Sequence, residues 1–360
     1  MEFTYKKGMG IGGWLTNYKR FNVLPMDKRL ELTIGDYEHF EGYITEWDIE
    51  NIKNMGMDHI RLGFDQIVLE TEPYVYNEKT FKLVEDFVEL CEKHGLGIVL
   101  NLHKCIGNYC DIEESITLFD SPELQDRFVK LWLEFERRFA TKKNVMFELL
   151  NEVRDIDPEL WNDLAERTIN ALRRVNKTRV IIVGSICWNN PNKLHTLRVF
   201  DDDNVIYTFH VYDPSEFTHQ RGVLHWAQLY YNRKMEYPGD IEKYREYYRV
   251  LWNNQKAYSH IDRMDIRYMR EILAPAIEFK KKHPDKILWC GEFGTIRHAD
   301  MKSRENWMRD VITILKENHI PYSVWNYLST PNDGNRFSLV DDDTREILSH
   351  EMLQIINGNV

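Results

Sequence analysis

A (β/α)₈ TIM barrel with a mostly helical insertion after strand six is the α/β fold class that this sequence predicts. Three observations carry that reading. Eight short apolar runs recur along the chain, several nearly continuous in Val, Ile and Leu, as parallel strands covered on both faces require. Segments with helical periodicity lie between them, and that alternation reads as a barrel with an outer ring of helices. Two runs lead into a glutamate, at Leu149-Leu150-Asn151-Glu152 and at Trp289-Cys290-Gly291-Glu292-Phe293-Gly294. A glutamate at the polar end of a strand sits at the mouth of a barrel, so the two strings suggest a carboxylate pair facing one cleft, the arrangement that cutting a glycosidic bond needs.

The strand runs, in order, are residues 9–15, 59–64, 97–102, 145–150, 180–184, 205–209, 287–290 and 322–325. Between them, Thr45 with Asp48 forms a capping-box pattern ahead of Ile49, Ile52 and Met55. Residues 81–94 carry a helical apolar stripe that Gly95 ends. Ser121-Pro122 opens another helix, with Phe128, Leu131, Trp132 and Phe135 on one face. Residues 160–175 and 303–317 follow the same pattern, and Leu348, Met352 and Ile355 fit a closing helix. The longest gap between strands runs from Val205 to Ile287. It holds a stretch at about 215–265 rich in Tyr, Trp, Arg and Glu, with a turn at Pro238-Gly239. A small helical subdomain over the C-terminal face is expected there, within a single catalytic barrel spanning 1–360.

Composition excludes several function classes. The chain has 360 residues, 43% hydrophobic and 29% charged, an ordinary soluble globular balance. No run approaches the roughly 18 apolar residues of a membrane span. A net charge of −11 makes nucleic acid a poor partner, because phosphate binding needs a basic surface. The five cysteines Cys91, Cys105, Cys110, Cys187 and Cys290 form no Cys-x-x-Cys pair and no cluster with histidine, so free thiols are expected and neither metal nor cofactor is called for. The N-terminal residues lack a signal peptide's apolar core, which leaves a cytoplasmic protein or a secreted one whose signal has been removed. A monomer is expected. Aromatic residues reach 13%, with 10 Trp and 19 Tyr. Most belong to packing, but pyranose rings also stack their apolar faces on indoles and phenols.

Polar residues recur at strand ends: Arg61, His103, Asn151, Glu152, His210, Tyr212, Glu292 and Trp325. Singly, a histidine there is more often a hydrogen-bonded structural residue, and a glutamate a cap neighbour or ion-pair partner. Eight at corresponding places are not explained that way. The strings His59-Ile60-Arg61-Leu62, Val99-Leu100-Asn101-Leu102-His103, Leu150-Asn151-Glu152, Phe209-His210-Val211-Tyr212, Gly291-Glu292-Phe293-Gly294 and Ser323-Val324-Trp325-Asn326 span nearly the whole chain. In that order they resemble glycoside hydrolase family 5, the cellulase family. The likeness is nearest to its compact bacterial endoglucanases of the endoglucanase C type, through Gly12-Gly13-Trp14, Phe147-Glu148-Leu149-Leu150-Asn151, Phe217-Thr218-His219-Gln220, Tyr231-Asn232-Arg233 and the insertion. One departure is Lys104-Cys105-Ile106-Gly107, where many relatives carry a second histidine and an Ala-Pro-Gly turn.

The resemblance implies a retaining endo-β-1,4-glucanase acting on cellulose-like or mixed-linkage β-glucan, as oligosaccharide or polysaccharide. Mannan, xyloglucan, xylan and β-1,3-glucan are the rival substrates. It implies Glu152 as general acid and then base, and Glu292 as nucleophile, with carboxyl groups roughly 5–5.5 Å apart. Arg61 is expected to keep Glu292 ionised, and the charge of Glu292 to hold the proton on Glu152. Tyr212 would hydrogen-bond Glu292, and Asn151 would donate to the sugar 2-hydroxyl. His103 and His210 would hold hydroxyls or tune the glutamates, and Trp325 would be the stacking floor. Trp188, after strand five, is a second platform candidate. Two other classes fit the sequence less well. A metal-dependent barrel hydrolase needs a His-x-His on strand one, and residues 10–15 contain no histidine. A non-catalytic carbohydrate-binding barrel would be expected to lack one of the two glutamates.

Overall fold

The computed structural model describes residues 4–16, 37–110, 116–330 and 333–358. Eight parallel strands close into a barrel in chain order. They are β1 (Lys7–Leu15), β2 (His59–Asp65), β3 (Gly97–Lys104), β4 (Val145–Glu148), β5 (Ile181–Gly184), β6 (Val205–Val211), β7 (Leu288–Phe293) and β8 (Tyr322–Val324). β2, β6 and β7 are buried along their whole length, which is why they read as apolar runs without a polar alternate face. Val99, Met146, Val180, Ile182, Ile206 and Trp289 form a compact cluster of their own and fill the barrel's lower interior. Interior filling of this kind makes the barrel a packed core with chemistry only at its upper rim.

Several boundaries differ from expectation. β3, β6 and β7 run far enough to include His103, His210 and Glu292, which had been placed beyond the strands. β4 stops at Glu148, two residues short of the apolar run. Arg61 is the third residue of β2 and fully buried, so it rises from inside the barrel, not from the rim.

The helices start and stop where local chemistry directs. Asp48 accepts from the backbone N–H of Thr45 at 2.8 Å and opens helix Glu46–Asn54. Helix Glu78–Lys93 ends before Gly95, whose φ of +66° is a conformation that favours glycine. Ser121 caps helix Pro122–Phe139. The closing helix is His350–Asn357, and Leu348 falls outside it because Ser349 is the cap, accepting from Met352 N at 3.0 Å. Helix Ile266–Lys282 was not anticipated; Pro275 interrupts its pattern.

Three buried tryptophans on outer helices donate indole N–H bonds into strand-end backbone. Trp132 bonds Leu149 O at 3.1 Å, Trp161 bonds Gly184 O at 2.8 Å and Trp307 bonds Asp213 O at 2.9 Å. Each pins a segment that carries rim residues. None of the helices among the described residues is long and apolar enough to cross a membrane.

Between β6 and helix Ile266–Lys282 lie helices Ser215–Thr218, Trp226–Tyr231 and Ile241–Trp252, with a ribbon pairing Gly239–Asp240 with Arg263–Met264. Tyr237 ties this segment to the barrel through Asp310 at 2.7 Å and Ser303 at 3.0 Å. Asn335, past β8, accepts from the backbone N–H groups of Val223 and Leu224 at 2.9 and 3.0 Å. At the root of the insertion Glu216 is buried, with Tyr258 donating to one oxygen at 2.6 Å and the other oxygen unpartnered. Burial pushes its carboxyl up to about 7. A carboxyl raised on folding favours the folded state at low pH, and that contribution is lost as pH rises from its unfolded value, about 4.3, through 7. Glu216→Gln, which keeps an acceptor for Tyr258, is therefore expected to stabilise the fold by about 3–4 kcal/mol at pH 8 and by about 1 kcal/mol at pH 5. Thermal unfolding at the two pH values checks this, and equal effects at both would contradict it.

Candidate active site

A cleft of about 730 Å³ opens at the C-terminal mouth of the barrel. Glu152, Glu292, His103, His210, Tyr212, Trp188 and Trp325 all line it. Arg61 and Asn151 do not; both are fully buried and lie beneath its floor.

Arg61 organises that floor. Its Nε and Nη2 donate to the two oxygens of Glu148 at 2.7 and 2.9 Å, its Nη1 reaches Glu292 Oε2 at 2.5 Å, and its Nη2 also donates to Asn151 Oδ1 at 2.7 Å. The other oxygen of Glu292 accepts from the Tyr212 hydroxyl at 2.7 Å. The β7 register slips against both neighbouring strands around Gly291 and Glu292, a local irregularity that re-aims the side chain into the cleft. Glu152 follows β4 in a backbone conformation with φ of +41°, one that bulky residues seldom adopt outside constrained sites. Oxygen atoms of Glu152 and Glu292 and a ring nitrogen of His210 lie within 4.8 Å of one another.

Arg61 acts on Glu292 with the expected sign, but burial sets the net direction. Burial raises the Glu292 carboxyl above the ordinary range and Glu152 adds to that, against the opposing pull of Arg61 and Tyr212. Burial and the neighbouring Glu292 charge push the Tyr212 phenol well above its ordinary value, which fixes it as the donor of the pair.

His210 has a defined tautomer. Burial lowers its imidazolium to about 4, so the ring is neutral at neutral pH. Its Nε2 faces two donors, Asn189 Nδ2 at 3.2 Å and Arg61 Nη2 at 3.5 Å. The ring proton therefore sits on Nδ1, which donates to Glu152 Oε1 at 2.9 Å. Oε1 is an acceptor, and a proton carried by Glu152 resides on Oε2.

The aromatic walls are also held. Trp325 stacks on His103 with centroids 5.3 Å apart and planes 4° apart. It lies over β1, where a Cβ on Gly10 or Gly12 would approach its ring to 2.8 or 2.3 Å, so those glycines make its bed. His103 Nδ1 pairs with Asn101 Oδ1 at 2.9 Å. Trp188 is 44% exposed and donates to Cys110 O at 2.8 Å, which turns one face of its ring to solvent. All five cysteines are free; Cys290, next to the site, is buried, and burial raises its thiol well above the ordinary value.

Sequence reasoning missed Glu148 and Asn189 as site residues. Glu148 was visible as the one charge in Val145-Met146-Phe147-Glu148-Leu149-Leu150, an apolar strand where a carboxylate needs a buried partner. Asn189 left no signal, because it reaches His210 only through three consecutive left-handed residues, Cys187 to Asn189.

A family model described as cellulase, glycosyl hydrolase family 5, matches residues 27–330. Endoglucanase C of Acetivibrio thermocellus is 35% identical over 98% of this chain and 98% of its own length. Cellodextrinase A of Ruminococcus flavefaciens is 28% identical, covering 87% of this chain and 83% of its own. Among solved structures, Thermotoga maritima Cel5A in complex with cellobiose superposes with a TM-score of 0.73 at 23% identity, over 98% of this chain and 97% of that one; the same protein has also been solved with mannotriose. The match across most of the chain, on a barrel with two glutamates converging at its mouth, shows that this protein is an O-glycoside hydrolase and belongs to family 5, the cellulase family.

Proposed function

We propose that this protein is a retaining endo-β-1,4-glucanase acting on cellulose-like or mixed-linkage β-glucan, with Glu292 as nucleophile and Glu152 as general acid and base. The observation that carries the reading is the unequal environment of two close carboxylates. Both oxygens of Glu292 accept from fixed donors, whereas Glu152 has one oxygen on His210 and lies at the cleft surface. The separation within 4.8 Å suits direct attack and leaves no room for the intervening water that inversion uses. The endoglucanase and cellodextrinase relatives supply the glucan preference.

In the first step a Glu292 oxygen attacks the anomeric carbon as the glycosidic C–O bond breaks, and Glu152 Oε2 gives its proton to the departing oxygen. The products are a glycosyl ester on Glu292 and an ionised Glu152. In the second step water attacks the same carbon, Glu152 takes its proton, and Glu292 leaves as a carboxylate. The two charges never coexist at full strength at the moment a proton must move: esterification removes the charge on Glu292 as Glu152 gains its own. Arg61 and Tyr212 aim the nucleophile. Asn151 has Oδ1 held by Arg61 and its amide N–H₂ group near Cys110 Sγ at 4.0 Å, and that long contact is the one it would exchange to donate toward the sugar 2-hydroxyl. Trp325 is the stacking floor, Trp188 a second platform, and neutral His103 and His210 serve the hydroxyls and the acid.

Glu292→Gln is expected to remove nearly all turnover. Glu152→Ala is expected to cut kcat/KM on cello-oligosaccharides by about 10²–10⁴-fold while sparing aryl glycosides with good leaving groups far more. Kinetics on both substrate types checks the roles, and an equal loss on both would count against Glu152 as acid.

Tyr212→Phe removes a hydrogen bond that favours the ionised nucleophile. The carboxyl of Glu292 should rise further, so the acid limb of kcat/KM against pH should move to higher pH by about one unit. An acid limb that stays in place would contradict the aiming role.

A further inference from the structure

The insertion holds a second hollow that the catalytic steps do not use. It encloses about 350 Å³ and shares Ser215, His219, Leu224 and His225 with the main cleft, so the two are continuous. Its outer wall includes Gln228, Tyr248 and Trp252. At the junction Trp226, a cleft residue, packs edge-to-face on Trp252 with centroids 5.0 Å apart and planes at 62°. The His225 ring lies 5.6 Å from Trp226 and 6.5 Å from Trp252. The two indoles remain 40% and 46% exposed, side by side on neighbouring inserted helices.

Two independent features point to a ligand. The first is that exposed indole pair, since contiguous exposed apolar surface beside a cleft marks binding, and indole faces suit the C–H faces of pyranose rings. The second is Gln228. It is only 8% exposed, lines the hollow, and its amide oxygen is buried with no hydrogen-bond partner. A buried acceptor left unpaired is costly, and a sugar hydroxyl would satisfy it. Position agrees: the insertion follows β6, next to β5 with its Trp188, and its hollow shares residues with the cleft that Trp188, Trp325 and both glutamates line. A chain long enough to extend along the cleft beyond the glutamates can reach it through these shared residues.

We propose that this hollow is a distal sugar-binding subsite, in which a glucosyl ring of a long β-glucan chain stacks on Trp252 and Trp226 and donates a hydroxyl to Gln228 Oε1. The proposal rests on the glucanase reading above. It makes the insertion a determinant of preferred chain length, acting away from the scissile bond.

The test is kcat/KM for a series of β-1,4-gluco-oligosaccharides of increasing length and for a short aryl cellobioside, in wild type, Trp252→Ala, Trp252→Phe and Gln228→Ala. The aryl cellobioside reports the catalytic centre alone. For Trp252→Ala the expected result is a loss of about tenfold on oligosaccharides long enough to reach the insertion, equivalent to one sugar contact of about 1.4 kcal/mol, with the short reporter within about twofold of wild type. Trp252→Phe should recover most of the loss, and Gln228→Ala should show the same length dependence. An equal loss at every length would overturn the subsite, because it would assign these residues a structural role only. No loss at any length would overturn it too. A wild-type enzyme inert on the reporter and on every oligosaccharide would instead overturn the glucanase reading, and the subsite with it.

Discussion

The site depends on the buried Arg61. A guanidinium sealed inside a barrel is tolerable only if its donors are matched, and here they reach Glu148, Glu292, Asn151 and His210. Two of those contacts are to carboxylates and one orients the amide beside the acid. Removing one partner from a buried ion pair costs about 3–5 kcal/mol, so the network holds its members in one geometry. That geometry leaves Glu292 pointing up into the cleft with one oxygen on Arg61 and the other on Tyr212. As the proposed nucleophile, Glu292 is thereby oriented before substrate arrives, which spares reorganisation in the transition state.

Burial gives the same network its chemistry. One guanidinium faces two carboxylates in a water-poor floor, and Glu152 approaches as a third. The excess of negative charge and the loss of solvent together keep Glu292 above its ordinary range despite the direct contact with Arg61. Neutral His210 extends the order one step further. Because Arg61 and Asn189 both donate toward its Nε2, its proton must face Glu152, and Glu152 Oε1 is held as an acceptor. The scaffold supports this from outside through Trp132, Trp161 and Trp307, whose N–H groups hold the backbone just past β4, at the end of β5 and just past β6.

The barrel was legible because its strands are buried on both faces and its helices carry caps. Thr45 with Asp48, Ser121 before Pro122, and Gly95 all act locally, and local signals survive in sequence. What was not legible depends on distance or on competing terms. Pro275 hid a helix that tertiary packing nevertheless maintains. The contact between Arg61 and Glu292 was foreseen from the strand-end pattern and the family resemblance, but the net direction at Glu292 was not, because burial is a property of the assembled barrel. Asn189 reaches His210 through left-handed backbone that residue types alone do not announce. Glu148 could have been read, since a charge in an apolar strand asks for a partner.

The central claim is that Glu292, and not Glu152, forms the covalent bond to sugar. Incubation with a 2-deoxy-2-fluoro cellobioside bearing a good leaving group, followed by intact-mass measurement and peptide mapping, tests it most directly. The account predicts one glycosyl adduct per chain, located on Glu292 and slow to hydrolyse. An adduct on Glu152, or hydrolysis with no adduct under conditions where the reagent is consumed, would contradict it.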